Sequence, residues 1–192
     1  MGFKLEGTKT RSNLLAAFAG ETQAYMRYTL FAAQAKKEGF EQINAIFLET
    51  AENERHHAKI YWSFLSGGLE EFTARFPAGA TENTLNNLRH AAAGEEEEGA
   101  ILYPAYAQTA REEGLEEIAE KFYMIANIEL THRERYDILI QRMEKQSVFR
   151  RPEAQKWLCL VCGHCHLGVC APDVCPVCGH PQGFFEIKAE NY

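Results

Sequence analysis

Two stretches of this 192-residue chain have the composition of a metal site: Glu54-Arg55-His56-His57 and Glu129-Leu130-Thr131-His132 each read Glu-x-x-His. Residues three apart on a helix share a face, so each stretch aims one carboxylate and one imidazole in the same direction. Two such stretches facing one another describe a di-metal site in the core of a helix bundle. Glu21 and Glu95 add one carboxylate each from two further helical patterns. Taken singly, each of these residues could be a solvated glutamate or a satisfied core histidine. That alternative fails for the set, because Phe47 and Tyr61 flank the first pair on its apolar stripe and Phe122 and Tyr136 flank the second. Clustered buried carboxylates are costly through desolvation and mutual repulsion. Two divalent cations would remove that cost. One imidazole per metal among carboxylates suits iron or manganese better than structural zinc, which prefers thiolate and imidazole.

Four helices must position these groups. Capping hydroxyls between Thr8 and Ser12 start the first, which carries Leu14, Phe18, Glu21, Tyr25, Tyr28, Ala32 and Ala35 and ends at Gly39. The second holds Ile43, Phe47, Thr50, Glu54, His57, Tyr61 and Phe64 at alternating spacings of four and three, until Gly67-Gly68. A connection of roughly a dozen residues through Phe76-Pro77-Ala78-Gly79 is longer than an antiparallel hairpin needs. It reads as the crossover of a ferritin-type bundle. The third helix starts at Thr81 or Asn83 and reaches Gly114, and the fourth repeats the second with Ile118, Phe122, Ile125, Glu129, His132, Tyr136 and Leu139, fading near Ser147.

The two halves form an internal repeat. Laying Gly39 on Gly114 superposes Ile43 on Ile118, Phe47 on Phe122, Glu54 on Glu129, His57 on His132 and Tyr28 on Tyr103. Ala19-Gly20-Glu21 meets Ala93-Gly94-Glu95 only if one residue is inserted between Glu95 and Tyr103. A single insertion in a helix is absorbed most cheaply as a π-bulge, and Pro104 weakens the same ladder. A π-bulge is therefore predicted there. Glu98 breaks the symmetry, since the residue three after Glu21 is Ala24. It is either a surplus ligand or part of an outward acidic run, whereas Glu96, Glu97, Glu112 and Glu113 are expected on solvated faces. Tyr28 and Tyr103 fit either hydrogen bonding to ligand carboxylates or simple core filling.

All six cysteines fall in the last fifth of the chain. Cys159-Leu160-Val161-Cys162-Gly163 and Cys175-Pro176-Val177-Cys178-Gly179 are paired Cys-x-x-Cys-Gly knuckles, the signature of a four-thiolate metal site. Iron and zinc both accept such a site, and attachment to a redox-capable bundle favours iron. Cys165 and Cys170 are extra, and His56, His164 and His166 have no matching partner, so they are placed on the surface. A formal charge of −7 argues against a nucleic-acid partner. No segment approaches the roughly 18 apolar residues of a membrane span, and a cytoplasmic location is expected.

In combination, Ala19-Gly20-Glu21, Glu54-x-x-His57, Glu95-x-x-Glu98, Glu129-x-x-His132 and the paired knuckles resemble the rubrerythrins across essentially the whole chain. The resemblance implies a mainly α fold: a ferritin-like antiparallel four-helix bundle over residues 1–147, a linker over 148–155 and a small rubredoxin-like domain over 156–192. It implies that Glu54 and Glu129 bridge two irons, that Glu21 is terminal on one, and that Glu95 with His132 serves the other. The first iron would exchange His57 for Glu98 as the site changes oxidation state. Cys159, Cys162, Cys175 and Cys178 would hold one further iron, with zinc substitution possible. The implied activity is reduction of hydrogen peroxide to water, in which Glu98, His57, Tyr28 and Tyr103 take part. Electrons would come from rubredoxin or a pyridine-nucleotide-linked reductase, in a head-to-tail homodimer. A ferroxidase role is the alternative. Glu96, Glu97, Cys165 and Cys170 depart from the family pattern.

Overall fold

The computed structural model describes residues 4–69 and 71–191. Helix α1 (Lys9–Lys37) and helix α2 (Glu41–Phe64) form an antiparallel hairpin. Its partner hairpin runs through α3 (Thr84–Glu97), a π-helical turn (Glu98–Leu102) and α4 (Tyr103–Glu112) before returning along α5 (Glu116–Glu144). The third helix is thus three pieces, and the π turn lies where the repeat demanded an extra residue. The connection between the hairpins spans 65–83, longer than expected, and has no helix or strand among its described residues.

Local chemistry explains the ends. Thr8 caps α1 by accepting from Arg11 N, and Asn83 caps α3 by accepting from Asn86 N. Gly39 and Gly114 close the two hairpins at φ of 83° and 74°, a left-handed conformation that favours glycine. The residue before each glycine then reaches across to the other half. Glu113 accepts from Lys9 N at 2.8 Å and from Thr10 N at 2.9 Å, while Glu38 accepts from Thr84 N at 3.0 Å. Each hairpin therefore satisfies orphan amides at the start of the other. Glu113 is exposed, as expected of a solvated face, and acts as a cap from there.

The apolar core is divided by the polar residues of the repeat into two aromatic layers. In one, Tyr28, Phe47 and Tyr136 lie with ring centroids 5.3 to 6.1 Å apart. In the other, Tyr103, Phe122 and Tyr61 lie 4.9 to 6.0 Å apart. Each layer takes two rings from one half and one from the other, so the sequence repeat becomes an approximate two-fold in space.

Beyond α5 the chain forms a three-stranded antiparallel sheet of order β2-β1-β3, from β1 (Arg150–Cys159), β2 (Cys165–Cys170) and β3 (Phe185–Ile187). The stretch 148–155, read as a linker, is strand from Arg150 onward, because Arg150 pairs with Cys170 and Gln155 with Gly168. Buried Trp157 anchors this sheet and donates its Nε1–H to Gly168 O. The tail sits on the Gly39 end of the bundle. Phe149 stacks on Phe40 with centroids 6.0 Å apart and planes 4° from parallel, and Gly183 lies so close to the Gly39 carbonyl that any Cβ would strike it.

Candidate metal centres

The polar layer between the aromatic sheets consists of Glu21, Glu54, His57, Glu95, Glu129 and His132, all buried. The helical spacing that placed each Glu and His on one stripe brings them together across the bundle in two overlapping groups: Glu21, Glu54, His57 and Glu129, and Glu54, Glu95, Glu129 and His132. Within each group the candidate ligand atoms lie within 4.8 Å of one another. His57 Nδ1 stands 2.9 Å from Glu54 Oε2, 3.1 Å from Glu129 Oε1 and 3.8 Å from Glu21 Oε2. His132 Nδ1 stands 3.2 Å from Glu54 Oε1, 3.0 Å from Glu129 Oε2 and 3.7 Å from Glu95 Oε2. Glu54 and Glu129 thus give one oxygen to each group, the disposition of bridging carboxylates.

The outer oxygens of the terminal carboxylates are satisfied crosswise. Tyr28 donates to Glu95 Oε1 and Tyr103 donates to Glu21 Oε1, each at 2.6 Å. Their phenols therefore orient carboxylates instead of merely filling the core. The inward atoms have no such partners: Glu21 Oε2, Glu54 Oε1, Glu95 Oε2, both Glu129 oxygens and His132 Nδ1 are buried without a hydrogen bond. Buried polar atoms are rarely left so. Orphan acceptors converging from four helices are what two cations would satisfy, so the donor set fits a pair of oxygen-loving metals.

Protonation in the bare site reports the same tension. Burial and the nearby Glu129 push the Glu21 carboxyl well above the usual range, and burial with Glu54 pushes Glu95 up to about 8. Burial alone would lower His132, yet contacts with Glu129, Glu54 and Glu95 outweigh it and raise the imidazole to about 12. His57 is raised in the same way by Glu129, Glu21 and Glu54. Burial would also raise Glu54, but the two imidazoles hold it below its ordinary value.

The two halves are not equivalent. Glu98 belongs to neither group of ligand atoms; it is half-buried, and a Cβ on Gly20 would lie 3.3 Å from its Oε1. It therefore faces α1 beside Glu21, not solvent, whereas Glu96 turns outward to Arg133 at 2.7 Å. A second asymmetry carries no sequence signature. His132 Nε2 lies 3.2 Å from Asn53 Oδ1, and an N–H donated there leaves Nδ1 its lone pair. The repeat counterpart of Asn53 is Ile128, which offers the His57 ring no acceptor.

In the tail, Cys159, Cys162, Cys175 and Cys178 converge. Cys159 Sγ and Cys178 Sγ lie 3.7 Å apart, and Cys162 Sγ and Cys175 Sγ 3.6 Å. A tetrahedron with bonds of about 2.3 Å has edges of about 3.8 Å, so the cage already has the size of a metal–thiolate site. The knuckles share one pattern: Gly163 N donates to Cys159 O and Gly179 N to Cys175 O, each at 2.9 Å, with φ of 76° and 74° at the two glycines. Cys165 and Cys170 stay outside the cage, exposed and half-buried respectively, and His56 is exposed. His164 and His166, expected at the surface, are half-buried.

Comparisons with known proteins agree with this arrangement. The rubrerythrin family model matches residues 12–140 and 86–156, and the model for the rubrerythrin rubredoxin-like domain matches residues 157–186. The chain is 53% identical over 192 residues to rubrerythrin of Porphyromonas gingivalis, covering 100% of this chain and 96% of that protein. It is 48% identical over 188 residues to rubrerythrin of Nitratidesulfovibrio vulgaris, with 98% of each covered. Among solved structures, nigerythrin in its fully reduced, all-ferrous state superposes with a TM-score of 0.64 at 31% identity, covering 96% of this chain and 91% of that one. No helix among the described residues is long and apolar enough to cross a membrane.

Proposed function

The chain belongs to the rubrerythrin family, and from that premise we propose that it is a peroxidase that reduces hydrogen peroxide to water. Its cofactors are a carboxylate–histidine di-iron centre in the bundle and a rubredoxin-like four-cysteine iron in the tail, an equipment suited to an iron protein of the oxidative-stress response. The observation that carries the reading is the joining, in one chain, of a buried site with two convergent ligand groups and a preformed thiolate cage. A ferroxidase needs only the first.

Glu21, Glu54, His57 and Glu129 would hold one iron and Glu54, Glu95, Glu129 and His132 the other. When bound, the iron pair supplies two electrons to the O–O bond, and two protons complete two waters. The protein's own part is to shape that site. Tyr28 and Tyr103 pin the outer oxygens of Glu95 and Glu21, Asn53 fixes the His132 ring, and the aromatic layers exclude bulk water. Glu98 stands beside Glu21 as the spare carboxylate that can replace His57. Burial and the charges of Glu95, Glu129 and Glu54 keep the Glu98 carboxyl protonated well above the ordinary range in the bare site.

Re-reduction passes through the tail, supplied by rubredoxin or a pyridine-nucleotide-linked reductase. The tail rests at Gly39, and the fifteen residues from there to Glu54 span about 22 Å of helix. That is long for direct electron transfer within one chain. A head-to-tail homodimer, in which the tail of one protomer approaches the bundle of its partner, shortens it.

The test is anaerobic purification, metal counting, and visible spectroscopy while the reduced protein is titrated with peroxide or with oxygen. Peroxide is expected to oxidise the bundle site much faster than oxygen, with the tail colouring as its iron is oxidised. Faster oxidation by oxygen would replace this reading with a ferroxidase or oxidase. A colourless tail containing zinc would remove the electron-transfer role.

A further inference from the structure

Residues 73–77 of the connector roof a cavity of about 440 Å³ between α1 and the α3–π–α4 segment, and Glu98 forms part of its wall. Gly20 and Gly94, counterparts in the repeat, both line it. A Cβ on Gly20 would sit 3.3 Å from Glu98 Oε1, and one on Gly94 would sit 3.4 Å from Arg27 Nη2. The two missing side chains leave two notches, one taken by a carboxylate and the other by a guanidinium. Neither polar group obeys the repeat, since Ala24 stands for Glu98 in the first half and Leu102 stands for Arg27 in the second.

Arg27 has the character of a group awaiting a guest. Its guanidinium packs over the Tyr28 ring at 5.6 Å, its Nε–H is buried without a hydrogen-bond partner, and it makes no ion pair among the described residues. An unpartnered buried donor is costly. The cavity therefore offers the guanidinium groups of Arg27 and Arg75 and the carboxyl groups of Glu97 and Glu98, with Phe76 and Leu102 as apolar wall. Arg27 and Arg75 disfavour a small cation, and Glu97 offsets their pull on a small anion. A neutral molecule that both donates and accepts hydrogen bonds over two adjacent atoms suits both groups.

We propose that this cavity is the entry port and waiting site for hydrogen peroxide, and that Arg27 is the residue that selects it by donating from its guanidinium while Glu98 engages the other end. The proposal rests on the peroxidase reading and adds the route and the selecting residue. Alkyl hydroperoxides, which carry only one O–H and must pass Phe76 beneath the connector, are expected to be poor oxidants of the site.

Two measurements test it. In the full chain loaded with redox-inert zinc, the Arg27 Nε–H resonance, identified by its loss in Arg27→Lys, should shift saturably with added hydrogen peroxide. The shift should vanish in Ala16→Trp, which places a ring in the cavity without touching a ligand. In the iron-loaded protein, Ala16→Trp and Arg27→Gln should each slow oxidation by peroxide at least tenfold. Oxidation of Ala16→Trp by ferricyanide, which needs no entry to the site, should stay within twofold of the parent. If the parent is not oxidised by peroxide at all, the peroxidase reading fails, while the zinc-protein shift still decides whether the cavity binds the molecule. If the parent is oxidised but both variants match it and no resonance moves, the port is refuted. Should Ala16→Trp fail to fold, Arg27→Gln with full metal content decides alone: an unchanged peroxide rate overturns the proposal.

Discussion

Replacing Asn53 by Ala should weaken one of the two metal positions and spare the other. Asn53 Oδ1 lies 3.2 Å from His132 Nε2, and this contact orients the ring and fixes the Nε2 proton, so that Nδ1, the nitrogen that faces Glu54, Glu95 and Glu129, is the one left for a metal. Loss of such an outer hydrogen bond on a ligating histidine typically costs 10 to 100-fold in metal affinity, or about 1.4 to 2.7 kcal/mol. The position served by His57 has no equivalent contact to lose, because Ile128 occupies the matching place. Anaerobic titration of metal-free protein with ferrous ion against a competing chelator should therefore resolve one wild-type step and one weakened step. Asn53→Asp, which keeps an acceptor, should restore most of the affinity. Ile128→Asn should tighten the other step by giving His57 the acceptor it lacks. Two unweakened steps in Asn53→Ala, or equal weakening of both with an unchanged thermal midpoint, would refute the assignment of Asn53 as the anchor.

Three further outcomes follow from the same geometry. In metal-free protein the thermal midpoint should fall as pH rises from about 5.5 to 8. Glu95, at about 8, and His132, at about 12, bind protons more tightly folded than unfolded, so the native state loses up to about 1.4 kcal/mol per pH unit for each such group over that window. Metal loading should abolish or reverse the slope, because metal displaces those protons; a flat profile in the metal-free protein would contradict the raised values. Glu95→Gln should flatten that slope near pH 8, because it removes a buried group that must shed its proton there, while metal content drops below two per bundle; calorimetry against pH and metal counting report both. Gly179→Ala, at φ 74°, should strain the second knuckle by about 1 to 2 kcal/mol and lower the tail's metal content, read by its visible absorption, with the bundle's metal unchanged.

Much of the site could be read from the chain because a repeat exposes it. One buried Glu or His says little, but the same pair at matching positions, with aromatic residues on either side, leaves few structures other than facing helices. The π turn was legible for the same reason: one surplus residue between Glu95 and Tyr103 had to go somewhere, and it became Glu98–Leu102. Glycines after each Cys-x-x-Cys singled out the four cysteines of the cage, since Gly163 and Gly179 adopt positive φ. What escaped depends on contacts between distant elements. Asn53 reads as one more polar residue on α2. Glu113 and Glu38 cap the opposite hairpin, across 103 and 46 residues of sequence. The first part of β1 contains Pro152, which argues against a strand, and only pairing with β2 makes it one.

The exceptions to the repeat have a common direction. Two equal halves would give two equal metals, each with one imidazole, one terminal carboxylate and shared bridges. Nothing in such a site would tell an incoming molecule which side to approach, and neither ligand set would yield before the other. Asn53 removes that equality by anchoring His132 and leaving His57 without a counterpart. Glu98 lies beside Glu21, where the proposed reading has it take the place of His57. The π turn is what lets helix α3 carry both Glu95 into one group and Glu98 toward α1 and the other. Arg27 and the two glycine notches open a cavity on the side that is free to change. On the proposed reading, ligand exchange and access are confined to one metal while the other is held still, and the symmetric frame supplies the rigidity against which that single exchange would occur.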